Sequence, residues 1–272
     1  MGDETAAKGM ESAVVGVEDV LSRFDRLVAS LPPTDSGAPQ SDIQNLNPDF
    51  HITSLPPQSA NPTHSLTLNA YSIFRPQYLL LTTSPSHNQS TPLDVSDLTA
   101  AWTALRILGS SHWAIYNCGP ESGCSRVHKH MQIFPPPTDG FRFFPDVTDK
   151  AAAEDAPFRY FLRYIQPTVS DIGSDSEAAD FLLAAYHDLL AGARSALQIP
   201  PSETWTTDPA PHNVILSHRW IMVVPRTRAV VGGLSANAAG MVGMVWVKSA
   251  RDAELWEERG PADMLADVGI RA

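Results

Sequence analysis

The chain has 272 residues, of which 43% are hydrophobic, enough for one large domain or two small ones. Its 30 acidic against 19 basic residues give a formal charge of −11, which excludes a general binder of nucleic acid or anionic membrane. Neither a secretory apolar segment nor a run long enough to cross a bilayer is present, which predicts a soluble protein of the cytoplasm or nucleus with no membrane partner.

Val17, Val20, Leu21, Phe24, Leu27 and Val28 recur at helical spacing, so the pattern predicts an amphipathic helix over 13–30. Pro32 and Pro33 stop it, and 32–64 reads as a long surface segment rich in Pro, Ser, Asn and Gln. Strands are expected at 65–70 and 78–83, the second central because Leu79-Leu80-Leu81 is apolar on both faces. Ser96 is placed to cap a helix running to Leu108, with Leu98, Trp102, Leu105 and Leu108 inward. A strand at 113–116 leads into a Gly/Ser loop, and 127–134 reads as a further strand ended by Pro135-Pro136-Pro137. An aromatic run at 158–164 predicts another strand. A helix then runs from Asp175 or Ser176 to Leu197. A hairpin follows at 213–216 and 220–224, then a Gly-bearing loop over 229–243 and an apolar strand or turn through 244–247. The last helices are expected at 250–258 and from Pro261. Strands and helices mix rather than alternate, which favours an α+β fold with a largely antiparallel sheet. The chain divides into an N-terminal part (1–64), a core holding the His strand (65–175) and a C-terminal portion packed on it (176–272). Cys118 and Cys124, the only cysteines, are six apart and fit neither a redox pair nor a zinc knuckle.

The chemistry concentrates in His128-Lys129-His130-Met131-Gln132. On a strand His128, His130 and Gln132 share one face, each about 7 Å from the next, while Lys129, Met131 and Ile133 share the other. The loop before it, with Gly119, Ser122, Gly123 and Ser125, presents backbone N–H groups able to wrap an anion. Three uses compete. The pair of histidines can be an exposed or structurally satisfied polar face. It can hold zinc or iron, although Gln132 is a poor ligand and Glu121 or Asp139 would have to be recruited. Or an imidazole can attack phosphorus and pass a nucleotidyl group on. In that case His130, central on the face, is the better nucleophile, with its other ring nitrogen held by a backbone carbonyl. His128 would donate to phosphate oxygens, and Gln132 to a non-bridging or leaving oxygen.

The run Asn117-x-Gly-x-x-Ser-Gly-x-Ser-x-x-His-Lys-His-x-Gln resembles the active-site signature of the diadenosine tetraphosphate phosphorylases (ATP adenylyltransferases). These belong to the histidine-triad (HIT-like) superfamily, in the branch where Gln replaces the third His. Further matches keep the family's order: Leu68-Asn69, Leu79-Leu80-Leu81-Thr82, Gln89-Ser90-Thr91-Pro92-Leu93 on to Asp97-Leu98, Tyr116-Asn117, Asn213 through Pro225-Arg226, Asn237 through Lys248, and Gly260-Pro261 to Gly269. They cover roughly residues 40–270. The resemblance implies a HIT-like, mostly antiparallel sheet flanked by helices, with a C-terminal family-specific extension. It implies phosphorolysis of a dinucleoside tetraphosphate, and the reverse adenylyl transfer, through AMP carried on His130. Around the α-phosphate it places His128, Gln132, Ser125 and Gly123. Asn117 would orient the loop, Asn69 and Asn237 would lie near the nucleotide, Met244 would pack on base or sugar, and Lys248 would meet phosphate; Arg126 or Arg75, outside the family's pattern, would supply a further cation for the substrate. Partners would be nucleotides and phosphate, in a monomer or homodimer. No metal is required for the covalent step, and Mg²⁺ would accompany the nucleotide.

This chain departs from the family in three places. Ala70 stands where a Lys is usual, and Arg126 where a Gln is usual. A phosphate-binding Lys before Asn47-Pro48 has no counterpart, since none lies between Lys8 and Lys129. These departures predict altered substrate choice or weaker activity. A nucleotide-binding homologue without turnover and a nucleoside-diphosphate-sugar phosphorylase are the remaining readings.

Overall fold

Strands in this chain are set by short apolar runs flanked by turn residues, and the run Tyr78-Leu79-Leu80-Leu81-Thr82 is buried along its whole length. The computed structural model describes residues 48–72, 75–135, 141–147, 156–165, 174–200 and 210–272. The expected helix at 13–30 lies outside them.

Eight strands form one sheet: β1 (His51–Leu55), β2 (His64–Leu68), β3 (Tyr78–Thr82), β4 (Trp113–Cys118), β5 (His130–Phe134), β6 (Phe161–Tyr164), β7 (His212–Leu216) and β8 (Trp220–Pro225). Their order is β1-β2-β3-β5-β4-β7-β8-β6, and every neighbouring pair is antiparallel. The expected α+β class with an antiparallel sheet is what the chain adopts. β1 lies inside the stretch that reads as irregular surface; it is an edge strand, only Leu55 is fully buried, and so it carries no alternation to read.

Helices α1 (Val95–Leu108) and α2 (Asp175–Ala196) cover one face of the sheet. Asp94 rather than Ser96 caps α1. Its Oδ1 accepts the Asp97 N–H at 3.0 Å, and Asp97 Oδ2 accepts the Asp94 N–H at 2.8 Å. Such a box satisfies two orphan helix donors where a Ser cap satisfies one. Against the other face lie a hairpin of β9 (Val230–Val231) and β10 (Leu234–Ser235), and helices α3 (Ala238–Met241), α4 (Ala250–Arg259) and α5 (Pro261–Val268). The hairpin and α3 fill the expected loop at 229–243, whereas 244–247 has no regular secondary structure. Among the described residues no helix is long and apolar enough to cross a membrane.

β5 divides its side chains between the two faces. Met131 and Ile133 enter the core under α1 and α2, each burial worth about 1.5–3 kcal/mol. Phe134 stacks on Trp113 in the second core. Lys129, just before β5, is 4% exposed, and its Nζ donates to Asp97 Oδ2 at 2.5 Å and to Pro92 O at 2.7 Å. Asp97 Oδ1 meets His64 Nε2 at 3.1 Å. Burial pushes the Asp97 carboxyl up, but the His64 and Lys129 contacts outweigh it and hold the group below the usual carboxylate range.

His212 in β7 is fully buried, with Nδ1 donating to Ala210 O at 2.6 Å and Nε2 accepting from the Tyr186 hydroxyl at 2.9 Å. Burial pushes its pKa from 6.5 down to about 4. The unfolded chain binds this proton more tightly, so the stability held above about pH 6.5 is lost as pH falls toward 4. The loss is about 3 kcal/mol. Urea unfolding at pH 7 and pH 4 should show it, and His212→Gln should flatten that limb; an equally steep limb in the variant would assign the dependence elsewhere.

Candidate active site

β4 ends at Cys118, and the chain turns through Gly119 (φ +89°), a 3₁₀ turn at Pro120–Ser122 and Gly123 (φ +85°). At Gly123 a Cβ would lie 2.7 Å from Ala236 O and 3.0 Å from Asn237 Cα. Only glycine lets the loop bend there and press on the segment leading into α3.

Beneath the loop runs a buried polar chain. Asn117 Oδ1 accepts from Asn213 Nδ2 at 2.8 Å and from the Ala238 N–H at 2.9 Å. Asn213 Nδ2 also donates to Ser122 O at 2.8 Å, and Asn213 Oδ1 accepts from Arg226 at 2.5 Å. The Arg226 guanidinium is 0% exposed and donates further to the carbonyls of Ser122, Arg228, Ala236 and Val268. Burial lowers its pKa to about 9, which leaves it cationic at neutral pH. With the guanidinium donors all aimed at acceptors, this network fixes the loop against β7, α3 and the end of α5.

Above the loop opens a cavity of about 380 Å³. The loop contributes Gly123, Ser125 and Arg126, and β5 contributes His130 and Gln132. Asn69, Ala70, Tyr71, Gln77 and Leu79 close one side. Asn237, Gly240 and the stretch Val245–Lys248, with Trp246, close the other. Among the described residues Arg126 and Lys248 are the charged groups of the lining and no carboxylate joins them, so this wall is locally cationic in an acidic protein.

His130 is 7% exposed, and its Nδ1 lies 2.9 Å from His128 O. A carbonyl only accepts, so Nδ1 carries the proton and Nε2 the lone pair. Gln132 Oε1 accepts from Gln77 Nε2 at 2.7 Å, which turns the Gln132 amide nitrogen into the donor end. Asn237 caps α3 through Oδ1, accepting from Ala239 and Gly240. Asn69 Oδ1 accepts the Tyr71 N–H at 3.0 Å, fixing the turn before β3.

Eight of the eleven residues singled out from sequence therefore share one cavity wall: Asn69, Gly123, Ser125, Arg126, His130, Gln132, Asn237 and Lys248. Three do not line it. His128 precedes β5 in an isolated bridge with Asn88, and its Nε2 meets Thr82 O at 2.8 Å and Thr82 Oγ1 at 3.0 Å. Asn117 lies in the buried network, one layer below the loop. Met244 packs into the core that holds Trp113 and Trp220. Gln77, Tyr71 and Trp246 belong to the wall and carry no sequence signal of their own. Cys118 and Cys124 are free thiols, with burial pushing the first up to about 12. Among the described residues no group of three or more His, Cys, Asp or Glu is placed to hold a metal ion.

Known proteins share this architecture. The family profile of the Ap4A phosphorylase N-terminal domain matches residues 40–143, and that of the ATP adenylyltransferase C-terminal domain matches 154–271. Diadenosine tetraphosphate phosphorylase 2 of Saccharomyces cerevisiae is 30% identical over 234 residues, which span 76% of this chain and 69% of that protein. Protein APA1 of the same yeast is 25% identical over 271 residues, 91% of this chain and 83% of that protein. The crystal structure of yeast Ap4A phosphorylase Apa2 in complex with AMP superposes with a TM-score of 0.69 at 29% identity, over 84% of this chain and 80% of that one. Its complex with Ap4A gives 0.66 at 26% identity, with the same coverage.

Proposed function

Because the chain belongs to the Ap4A phosphorylase family, we propose that it splits diadenosine tetraphosphate with phosphate into ATP and ADP through AMP held on His130, and runs the reverse adenylyl transfer. The observation that carries this reading is the His130 Nδ1–H donated to the His128 carbonyl at a cationic cavity wall. The Nε2 lone pair attacks the α-phosphorus. A P–N bond forms, the P–O bond to the β-phosphate breaks, and ATP leaves with that electron pair. The ring becomes positively charged, and the His128 carbonyl stabilises it through the Nδ1 proton. A phosphate oxygen then attacks the same phosphorus. The P–N electrons return to Nε2, and ADP leaves.

The Gln132 amide nitrogen, Ser125 and the loop N–H groups stand where charge develops on the α-phosphoryl oxygens. Gln132 offers no base to activate water, which favours transfer to phosphate over hydrolysis. Arg126 and Lys248 take the rest of the polyphosphate, supplying from the loop and the opposite wall the charge that Ala70 does not. Asn69 and Asn237 orient the nucleotide between Leu79, Tyr71 and Trp246. His128 acts through Thr82, Asn117 through Asn213, and Met244 by packing against the second core. The covalent step draws on no metal, and Mg²⁺ would arrive on the phosphates. Substrates are free nucleotides and phosphate, handled by a monomer or homodimer in the cytoplasm or nucleus.

Incubation with Ap4A labelled in the adenosine should leave an acid-labile, base-stable adenylyl adduct on the protein, discharged as ADP by phosphate. Saturable binding without an adduct would support a nucleotide-binding homologue instead.

A further inference from the structure

β4 and β5 pair in register only as far as Ile115 opposite Gln132. Beyond that point β4 continues along β7 to Cys118 and then enters the loop, while β5 keeps its pairing with β3, His130 opposite Leu81. The two strands fork at the nucleophile. A residue in a strand points its N–H and C=O to the same side, so the fork would orphan both groups of His130 in a buried place. A side chain fills the gap. Gln89, 1% exposed, accepts the His130 N–H with Oε1 at 2.7 Å and donates Nε2 to His130 O at 3.0 Å and to Asn117 O at 3.0 Å. One carboxamide thus takes the place of the peptide that β4 would have supplied.

Gln89 is itself held at every main-chain polar atom. Its N–H donates to Val127 O at 2.7 Å, and its carbonyl accepts from the Tyr116 hydroxyl at 2.9 Å and from the Gly119 N–H at 3.4 Å. The Lys129 N–H donates to His87 O at 3.0 Å, so the segment 87–89 is laced to both arms of the fork.

We propose that Gln89 is a positioning residue for His130: it fixes the forked backbone that aims Nε2 at the α-phosphorus. It touches neither the cavity nor the substrate, and its effect passes through the His130 main chain. The inference rests on the adenylyl-transfer reading above.

Single-turnover formation of the adenylyl-enzyme on wild type, Gln89→Leu and Gln89→Glu tests it. With the nucleophile loosened by a fraction of an ångström, Gln89→Leu should form adduct about 10²-fold more slowly while AMP affinity stays at the wild-type value. Gln89→Glu keeps the acceptor for the His130 N–H but faces two carbonyls with a carboxylate. Protonation restores one donor, so its rate relative to wild type should rise as pH falls. Folded variants that form adduct at the wild-type rate would overturn the inference, as would a loss confined to nucleotide affinity. Absence of adduct on wild type would instead sink the reading of the active site. Amide exchange on the unsubstituted protein does not depend on any variant folding: the His130 amide should exchange as slowly as the paired amides of β5, and exchange at the rate of an exposed loop would count against the fork.

Discussion

His130→Ala is expected to lower Ap4A phosphorolysis by about 10⁴-fold or more and to abolish the adenylyl adduct, with ADP and AMP still bound. The size follows from what the imidazole does. It supplies the only nucleophile in the first half-reaction and the leaving group in the second, so no neighbour can take over either role. Binding survives because the cavity's other donors do not depend on the ring. Gln132 is oriented by Gln77, and Ser125, Arg126 and Lys248 line the cavity independently of the ring. Steady-state rates with labelled Ap4A check this. A variant retaining a tenth of the wild-type rate would mean that water or phosphate attacks directly and that His130 only binds.

Asp97→Ala should destabilise the protein by about 3–5 kcal/mol, the cost of leaving one member of a buried ion pair without its partner. The melting temperature should drop by about 10 °C. Asp97 accepts from Lys129 at 2.5 Å and meets His64 at 3.1 Å in the interior, and it closes the α1 capping box with Asp94. Its removal leaves the buried Lys129 ammonium without its carboxylate. Lys129→Met in the same chain removes that charge and should recover part of the loss. Thermal unfolding of the two variants and the pair gives the cycle. A single-variant shift under about 2 °C would show that the carboxylate contributes no more than an exposed pair.

These two residues also show how far the sequence could be read. His130 stood out because two imidazoles and a carboxamide on one strand face serve no core, and because a Gly/Ser loop preceded them. Alternation placed Met131 and Ile133 inward, and both lie in the core. Asp97 and Lys129 gave no such signal: their pairing joins positions 32 apart, and sequence spacing does not report a contact of that range. Gln77 stayed hidden for the same reason, and Gln89, though it opens a family match, showed no link to the nucleophile, since their partners Gln132 and His130 lie 55 and 41 residues away. β1 escaped because an edge strand half open to solvent has no apolar period. The stretch 244–247 read as strand or turn because Val245 and Trp246 are apolar, yet their apolarity serves the cavity wall. His128 was placed on the cavity face by alternation, but regular pairing of β5 begins only at His130, and its ring turns to Thr82.

The most direct test of a covalent AMP–His130 intermediate is the stereochemistry at the transferred phosphorus. Ap4A carrying a phosphorothioate of defined configuration at the α-position is phosphorolysed, and the configuration of the product ADP thiophosphate is determined. Two in-line displacements, first by His130 Nε2 and then by phosphate, predict overall retention. Inversion would mean a single direct attack by phosphate and would contradict the intermediate.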